Sequence, residues 1–241
     1  MCKFERKIVV VQNLNCTYPS KQDSFSPSEL YPEYPFDKNT VSDKKNDVYP
    51  MIRDGFKMLG LDLLHYGTPE WNPLGEFINP GDRVLLKPNM VLNENHIKEN
   101  GSDCLIVHPS IVRAVLDYVY IALKGSGNII VGDAPLQSCD FEKLISEQGY
   151  SEIQSFYQEK GITISLRDFR LLKSKVIHGR VDVTQKKKNS TCKAIDIGKM
   201  SEHKGRDYKK YRVTSYNPDE MLKLYITVKM YPCSGGTDTG S

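Results

Sequence analysis

Short, nearly continuous apolar runs stand at residues 7–14 (KIVVVQNL), 83–87 (RVLLK), 128–131 (NIIV) and 162–166 (ITISL), each closed off by polar or turn-forming residues. Runs of this length read as buried strands of a sheet covered on both faces. Between them the apolar spacing becomes helical. Met51, Ile52, Phe56, Leu59 and Leu63 form a stripe that starts beside Pro50, a good first-turn residue, and frays near Gly60. Pro109 opens a second helix, whose Ile111, Val112, Val115, Leu116, Val119 and Leu123 make a broad apolar face before Gly125 and Gly127 end it. Residues 141–160 read as one or two helices broken near Gly149. Strand, helix and strand in this order mark a parallel β-α-β unit. The expected fold is therefore α/β, a mostly parallel open sheet with flanking helices.

Other stretches follow neither period. Residues 15–49 carry Pro19, Pro27, Pro32 and Pro35 among many polar residues, which excludes a central strand or a helix. A loop this long inside a compact domain points to a function or to disorder. Its Tyr18, Tyr31, Tyr34, Tyr49, Phe25 and Phe36 favour a segment wrapped over the surface. Past Asp168 the signal weakens to a loose alternation over 171–183, a hairpin around His178-Gly179-Arg180. The expected layout is an α/β core over 1–168 with a long 15–49 surface loop, a basic irregular or hairpin extension over 169–222, and a disordered tail over 223–241.

In open α/β sheets ligands bind beyond the carboxyl ends of the strands. Lys87 and Asn89 follow the 83–87 run, and Asp133 follows 128–131. A lysine there suits an anion as a point charge, and the asparagine amide can fix its orientation. Lys87 and Asn89 are thus the substrate-binding candidates. Asp133, after Gly132, could serve as general base, sugar-hydroxyl acceptor or metal ligand, or simply form a turn before Pro135. His108, just before a helix, could move protons or bind a metal, or only satisfy first-turn amides. Asp133 and His108 are the catalytic candidates, and also the candidates for a metal of unknown identity. His96 is a weaker one. No glycine-rich phosphate loop, nucleophile elbow or His-Glu-x-x-His pair occurs.

Composition narrows the classes further. At 241 residues the chain can bury a sizeable core, and 39% hydrophobic content describes a rather polar globular protein. No apolar run approaches the ~20 residues needed to span a bilayer. The charged start is unlike a signal peptide, so the expected location is cytoplasmic. The six cysteines are widely and irregularly spaced. Such spacing argues against a zinc ribbon or iron–sulfur motif, so no iron–sulfur cluster is expected in this chain. Net charge is only +3, but residues 173–212 hold 13 Lys/Arg against 4 Asp/Glu. That block could meet a polyanion. Aromatics are absent from it before Tyr208, which argues against nucleic acid.

With these residues in hand, the chain resembles the uncharacterised "domain of unknown function 362" family. The matches are VLLKPNMV at 84–91, HPSIVRAVLDY at 108–118 and NIIVGDAP at 128–135, with EYPF at 33–36 and the 72–82 stretch alongside. The resemblance covers residue 7 to about 221, the N-terminal half of the family pattern. Members usually continue with a further strand and a Lys- and His-bearing segment, and some carry ferredoxin-like cysteine motifs. Neither is present here, which implies an incomplete domain from a truncated or frame-shifted product or a fragment. The family has no well-established activity, so the resemblance implies architecture and candidate residues but no reaction. Three functions stay open: an enzyme, or part of one, binding a small anionic substrate at the strand ends; an accessory binding or electron-transfer module akin to the cluster-bearing members; and a polyanion-binding surface at 173–212. Oligomeric state is not legible.

Overall fold

The computed structural model describes residues 8–95, 104–170, 172–178, 180–186, 192–196 and 223–227. Contacts group the chain into two units, each assembled from separate stretches. The first comprises Met1–Pro88, Ile106–Val131 and Glu142–Leu166, and the second Asn89–Leu105, Gly132–Phe141 and Arg167–Ser241.

The first unit holds helices α1 (Val48–Met58), α2 (Pro109–Leu123), α3 (Phe141–Gln148, except its first residue) and α4 (Tyr150–Glu159). Its sheet has the order β1 (Arg83–Leu86), β2 (Asn128–Asp133), β3 (Ile164–Asp168). β1 and β2 pair in parallel, with Arg83 opposite Asn128 and Leu86 opposite Val131. The three strands form an open parallel sheet with flanking helices, as the apolar pattern predicts. Local signals account for the boundaries. β1 stops short of Pro88, which has no N–H to continue a ladder. α2 starts at Pro109 behind His108, whose side chain accepts the Ser110 N–H. Gly149 separates α3 from α4 at φ +96°, where a Cβ would come within 2.7 Å of the Phe25 ring.

The core of this unit is aromatic and partly ionic. Trp71, Tyr49, Tyr118, Tyr34 and Ala114 form its buried centre, with Phe36, Ile52, Phe56 and Tyr66 packed around them. The Trp71 indole N–H donates to the Leu61 carbonyl at 3.1 Å. Two ion pairs lie inside. Arg113 Nε donates to Asp117 Oδ1 at 2.9 Å, one helical turn away on α2, and both side chains are fully buried. Arg53 Nε meets Glu33 Oε1 at 2.6 Å. Tyr49 and Tyr157 both donate to Asp117, and Tyr118 donates to Glu33.

One expectation fails here. The 7–14 run is no buried strand: residues 8–14 form none, and Ile8 is 89%, Val10 76% and Leu14 87% exposed. An apolar run becomes a strand only where another backbone edge can pair with it, and among the described residues this one has no ladder partner. The 15–49 segment is a loop that packs part of its length onto the core. It contains 3-10 turns at Gln22–Phe25 and Lys38–Thr40 and buries Phe25, Glu33, Tyr34 and Asn46. Asn46 holds it together, donating to the carbonyls of Phe25 and Ser26 and accepting the amides of Val48 and Tyr49.

In the second unit, Val91 N–H donates to Leu105 O at 2.9 Å, Leu136 N–H to Val91 O at 3.0 Å, and Phe169 N–H to Asp133 O at 2.8 Å. β4 (Leu172–Ile177) and β5 (Arg180–Lys186) pair antiparallel as the hairpin expected around His178, with a bulge at Lys173/Ser174. β6 (Cys192–Asp196) pairs antiparallel with β7 (Lys223–Thr227). β7 lies within the stretch expected to be a disordered tail, where its Leu224, Tyr225 and Ile226 are good strand formers.

Candidate functional site

β2 runs two residues further than its apolar run suggests, so Asp133 is the last strand residue and not a loop residue. Its backbone is held by Phe169, and its carboxylate Oδ2 accepts the Met90 N–H at 2.8 Å. Met90 is fully buried and Asp133 nearly so. The Met90 N–H offsets part of the cost of burying a carboxylate at this depth. Gly132 explains the approach of the strands: a Cβ there would sit 2.0 Å from the Arg167 carbonyl oxygen. The glycine therefore serves the passing backbone.

Around this strand end the second unit builds a polar frame. Arg170 grips Asp168 with two nitrogens, Nε to Oδ1 at 3.0 Å and Nη2 to Oδ2 at 2.7 Å. Its Nη1 donates to the carbonyls of Leu136 and Cys139 at 2.8 and 3.0 Å, clamping the loop that follows β2. Lys173 Nζ adds a contact to Asp168 at 2.9 Å. Burial alone would raise the Asp168 carboxyl, but the hydrogen bonds from Arg170 and Lys173 outweigh it and hold it below the ordinary carboxylate value. Asn93, buried, accepts the Asp140 N–H at 2.8 Å. Burial pushes the Cys139 thiol above its ordinary value.

Asn89 and Asp133 share this unit. Lys87 closes the first unit's β1 segment, and both it and Asn89 are exposed on either side of the buried Pro88. His108 belongs to the first unit, where Nδ1 lies 3.3 Å from the Ser110 amide and 2.8 Å from its hydroxyl. Tyr18 stacks on the His108 ring at 4.1 Å, and Phe25 meets it edge-on. Among the described residues no three His, Cys, Asp or Glu side chains gather as a metal set. His96, and the basic block apart from residues 173–178, 180–186 and 192–196, lie outside the described residues.

Reasoning from the sequence missed the frame residues Arg170, Asp168 and Asn93. One signal was available: an arginine two residues after an aspartate at the end of an apolar run (RDFR, 167–170) is suited to a bidentate clasp. The buried Arg113–Asp117 pair was likewise hidden, although its i,i+4 spacing on a helix is a standard ion-pair spacing.

Comparison with known proteins bears on the same region. The family model described as "Domain of unknown function (DUF362)" matches residues 84–204. Thylakoid-associated protein sll1697 of Synechocystis sp. is 39% identical over 62 residues, 26% of this chain and 17% of that protein. The chain thus spans about a sixth of the length of this curated relative. No solved structure matches the chain. Among the described residues, no helix is long and apolar enough to cross a membrane.

Proposed function

The chain belongs to the DUF362 family, and from that premise we propose that it binds a small anionic ligand at the Lys87-Pro88-Asn89 turn that leaves β1. The observation that carries the reading is the Met90 amide held by the buried Asp133 carboxylate. It fixes the backbone directly behind the turn, so the exposed Lys87 ammonium and Asn89 amide are offered from a rigid base. Parallel strands support the assignment, because Leu86 and Val131 are ladder partners and β1 and β2 run in the same direction. In this reading Lys87 supplies charge and Asn89 orientation. Asp133 acts through the Met90 amide that follows the turn. His108 keeps α2's first turn in place.

The test is a calorimetric titration of the chain with orthophosphate and with citrate as probes. Lys87→Ala should weaken binding about tenfold or more, the usual worth of a hydrogen bond to a charged group, while the circular dichroism spectrum stays unchanged. Asn89→Ala should weaken it less. Equal affinity in Lys87→Ala and the parent chain would overturn the reading.

A further inference from the structure

Three hydrogen bonds tie the segment behind the proposed anion turn to the end of β2 and the loop that follows it, all within the second unit. Met90 N–H donates to Asp133 Oδ2 at 2.8 Å, Leu136 N–H to the Val91 carbonyl at 3.0 Å, and Asp140 N–H to Asn93 Oδ1 at 2.8 Å. The turn is therefore only as well placed as residues 133–140. Past Asp133 these residues belong to no helix or strand, and Leu136 is 41% exposed, so packing holds it weakly. A loop of this kind keeps one conformation when its backbone groups are paired.

Two consecutive residues after β3 supply that pairing. Phe169 N–H donates to the Asp133 carbonyl at 2.8 Å. Arg170 Nη1 donates to the carbonyls of Leu136 and Cys139 at 2.8 and 3.0 Å, which are the two ends of a turn closed by Cys139 N–H on Leu136 O. The rest of the guanidinium is committed to Asp168, Nε to Oδ1 at 3.0 Å and Nη2 to Oδ2 at 2.7 Å. Both side chains are almost fully buried. A buried ion pair adds little net stability over apolar residues of the same volume, so stability alone does not account for an arginine here. Its planar fork does something apolar packing cannot. It sets the distance and angle between a carboxylate and two carbonyls at once, which the single ammonium of a lysine cannot match.

We infer that Arg170 is a positioning residue for the anion turn, acting on Met90 and Asn89 through Leu136 and Val91 and not on the ligand itself. The inference rests on the anion reading of that turn, and it adds that the turn's affinity is set from the far side of the β2 loop.

Amide-resolved hydrogen exchange on the full chain, paired with orthophosphate titration of the same samples, tests it. In Arg170→Gln the Met90 and Leu136 amides should exchange about tenfold faster or more, and phosphate should bind about tenfold more weakly. Amides in the middle of α2 should keep their parental rates. Should Arg170→Gln lose its folded circular dichroism spectrum, Arg170→Lys carries the test. It keeps the charge but not the fork, and both effects should be about threefold. Parental exchange rates or parental affinity in a folded variant would overturn the inference. So would acceleration in α2 as large as at Leu136, or unfolding of both variants, because Arg170 would then serve general stability. A parent chain that binds no phosphate would remove the anion reading and this inference with it. A parent that binds, beside a folded Arg170 variant that binds equally well, would remove this inference alone.

Discussion

Asp117 is the residue on which most of the first unit's buried polarity converges. It receives Arg113 at 2.9 Å through Oδ1 and Tyr49 at 2.9 Å through Oδ2, and Tyr157 donates to it as well. Arg113 also donates to the Ser24 carbonyl and lies 3.8 Å above the centre of the Phe156 ring. Removing one partner of such a pair strands the other charge away from water, at a cost of about 3–5 kcal/mol. Asp117→Ala should lower stability by that amount in urea denaturation. The double variant Arg113→Met/Asp117→Leu should recover a large part of it, because no unpaired charge remains. A double variant as damaged as the single one would show that shape, and not charge, is what the pair supplies. The surrounding phenols titrate late. Burial, followed by nearby carboxylates such as Glu29, pushes Tyr31 up to about 12. Tyr49 and Tyr157 are raised well above the ordinary value by burial and by Asp117. A raised phenol keeps its proton longer when folded, so its contribution is full below the ordinary value near 10. It is lost as pH rises from there toward about 12 for Tyr31. Tyrosinate absorbance should therefore appear together with loss of helical circular dichroism in that window. Complete ionisation of the tyrosines with the fold intact would contradict this.

At the level of elements, the close passage of β2 and β3 depends on Gly132, since any Cβ would fall 2.0 Å from a backbone oxygen that cannot turn aside. Gly132→Ala should cost at least about 1–3 kcal/mol, the usual range for overpacking, and Gly161→Ala should cost less. Gly161 has φ +76° but open space around its Cβ position, so only backbone strain opposes the change there. Chemical denaturation of the two variants checks the ranking. Most elements were legible because their signals are local. Pro109 and His108 start α2, Gly149 divides α3 from α4, and Pro88 ends β1. The failures are non-local. Residues 8–14 have strand composition without a strand, because pairing needs an edge that no local pattern reveals. Asp133 was legible as a strand-end residue, but its bond to Met90 spans 43 positions and left no trace in the spacing. Arg170 and its clasp on the 136–139 carbonyls were invisible for the same reason.

For the molecule as a whole, the family match begins at residue 84 and ends at 204. It takes in β1, Lys87, Asn89, α2, β2, Asp133 and the Arg170 frame. The aromatic and ionic core joins residues 25–71, which precede that region, to Ala114 and Tyr118 of α2 within it. The residues of the proposed anion site therefore all lie within the family segment. The central claim is that a ligand-binding turn stands on the Asp133–Met90 bond, and amide-resolved NMR during the orthophosphate titration addresses it most directly. The account predicts that the Asn89 and Met90 amides shift and saturate together, and that at the same phosphate concentrations Lys87→Ala leaves these shifts much smaller, with a midpoint about tenfold higher or more, in a chain that remains folded. Saturating shifts elsewhere with Asn89 and Met90 unmoved, or identical shifts in Lys87→Ala, would contradict it.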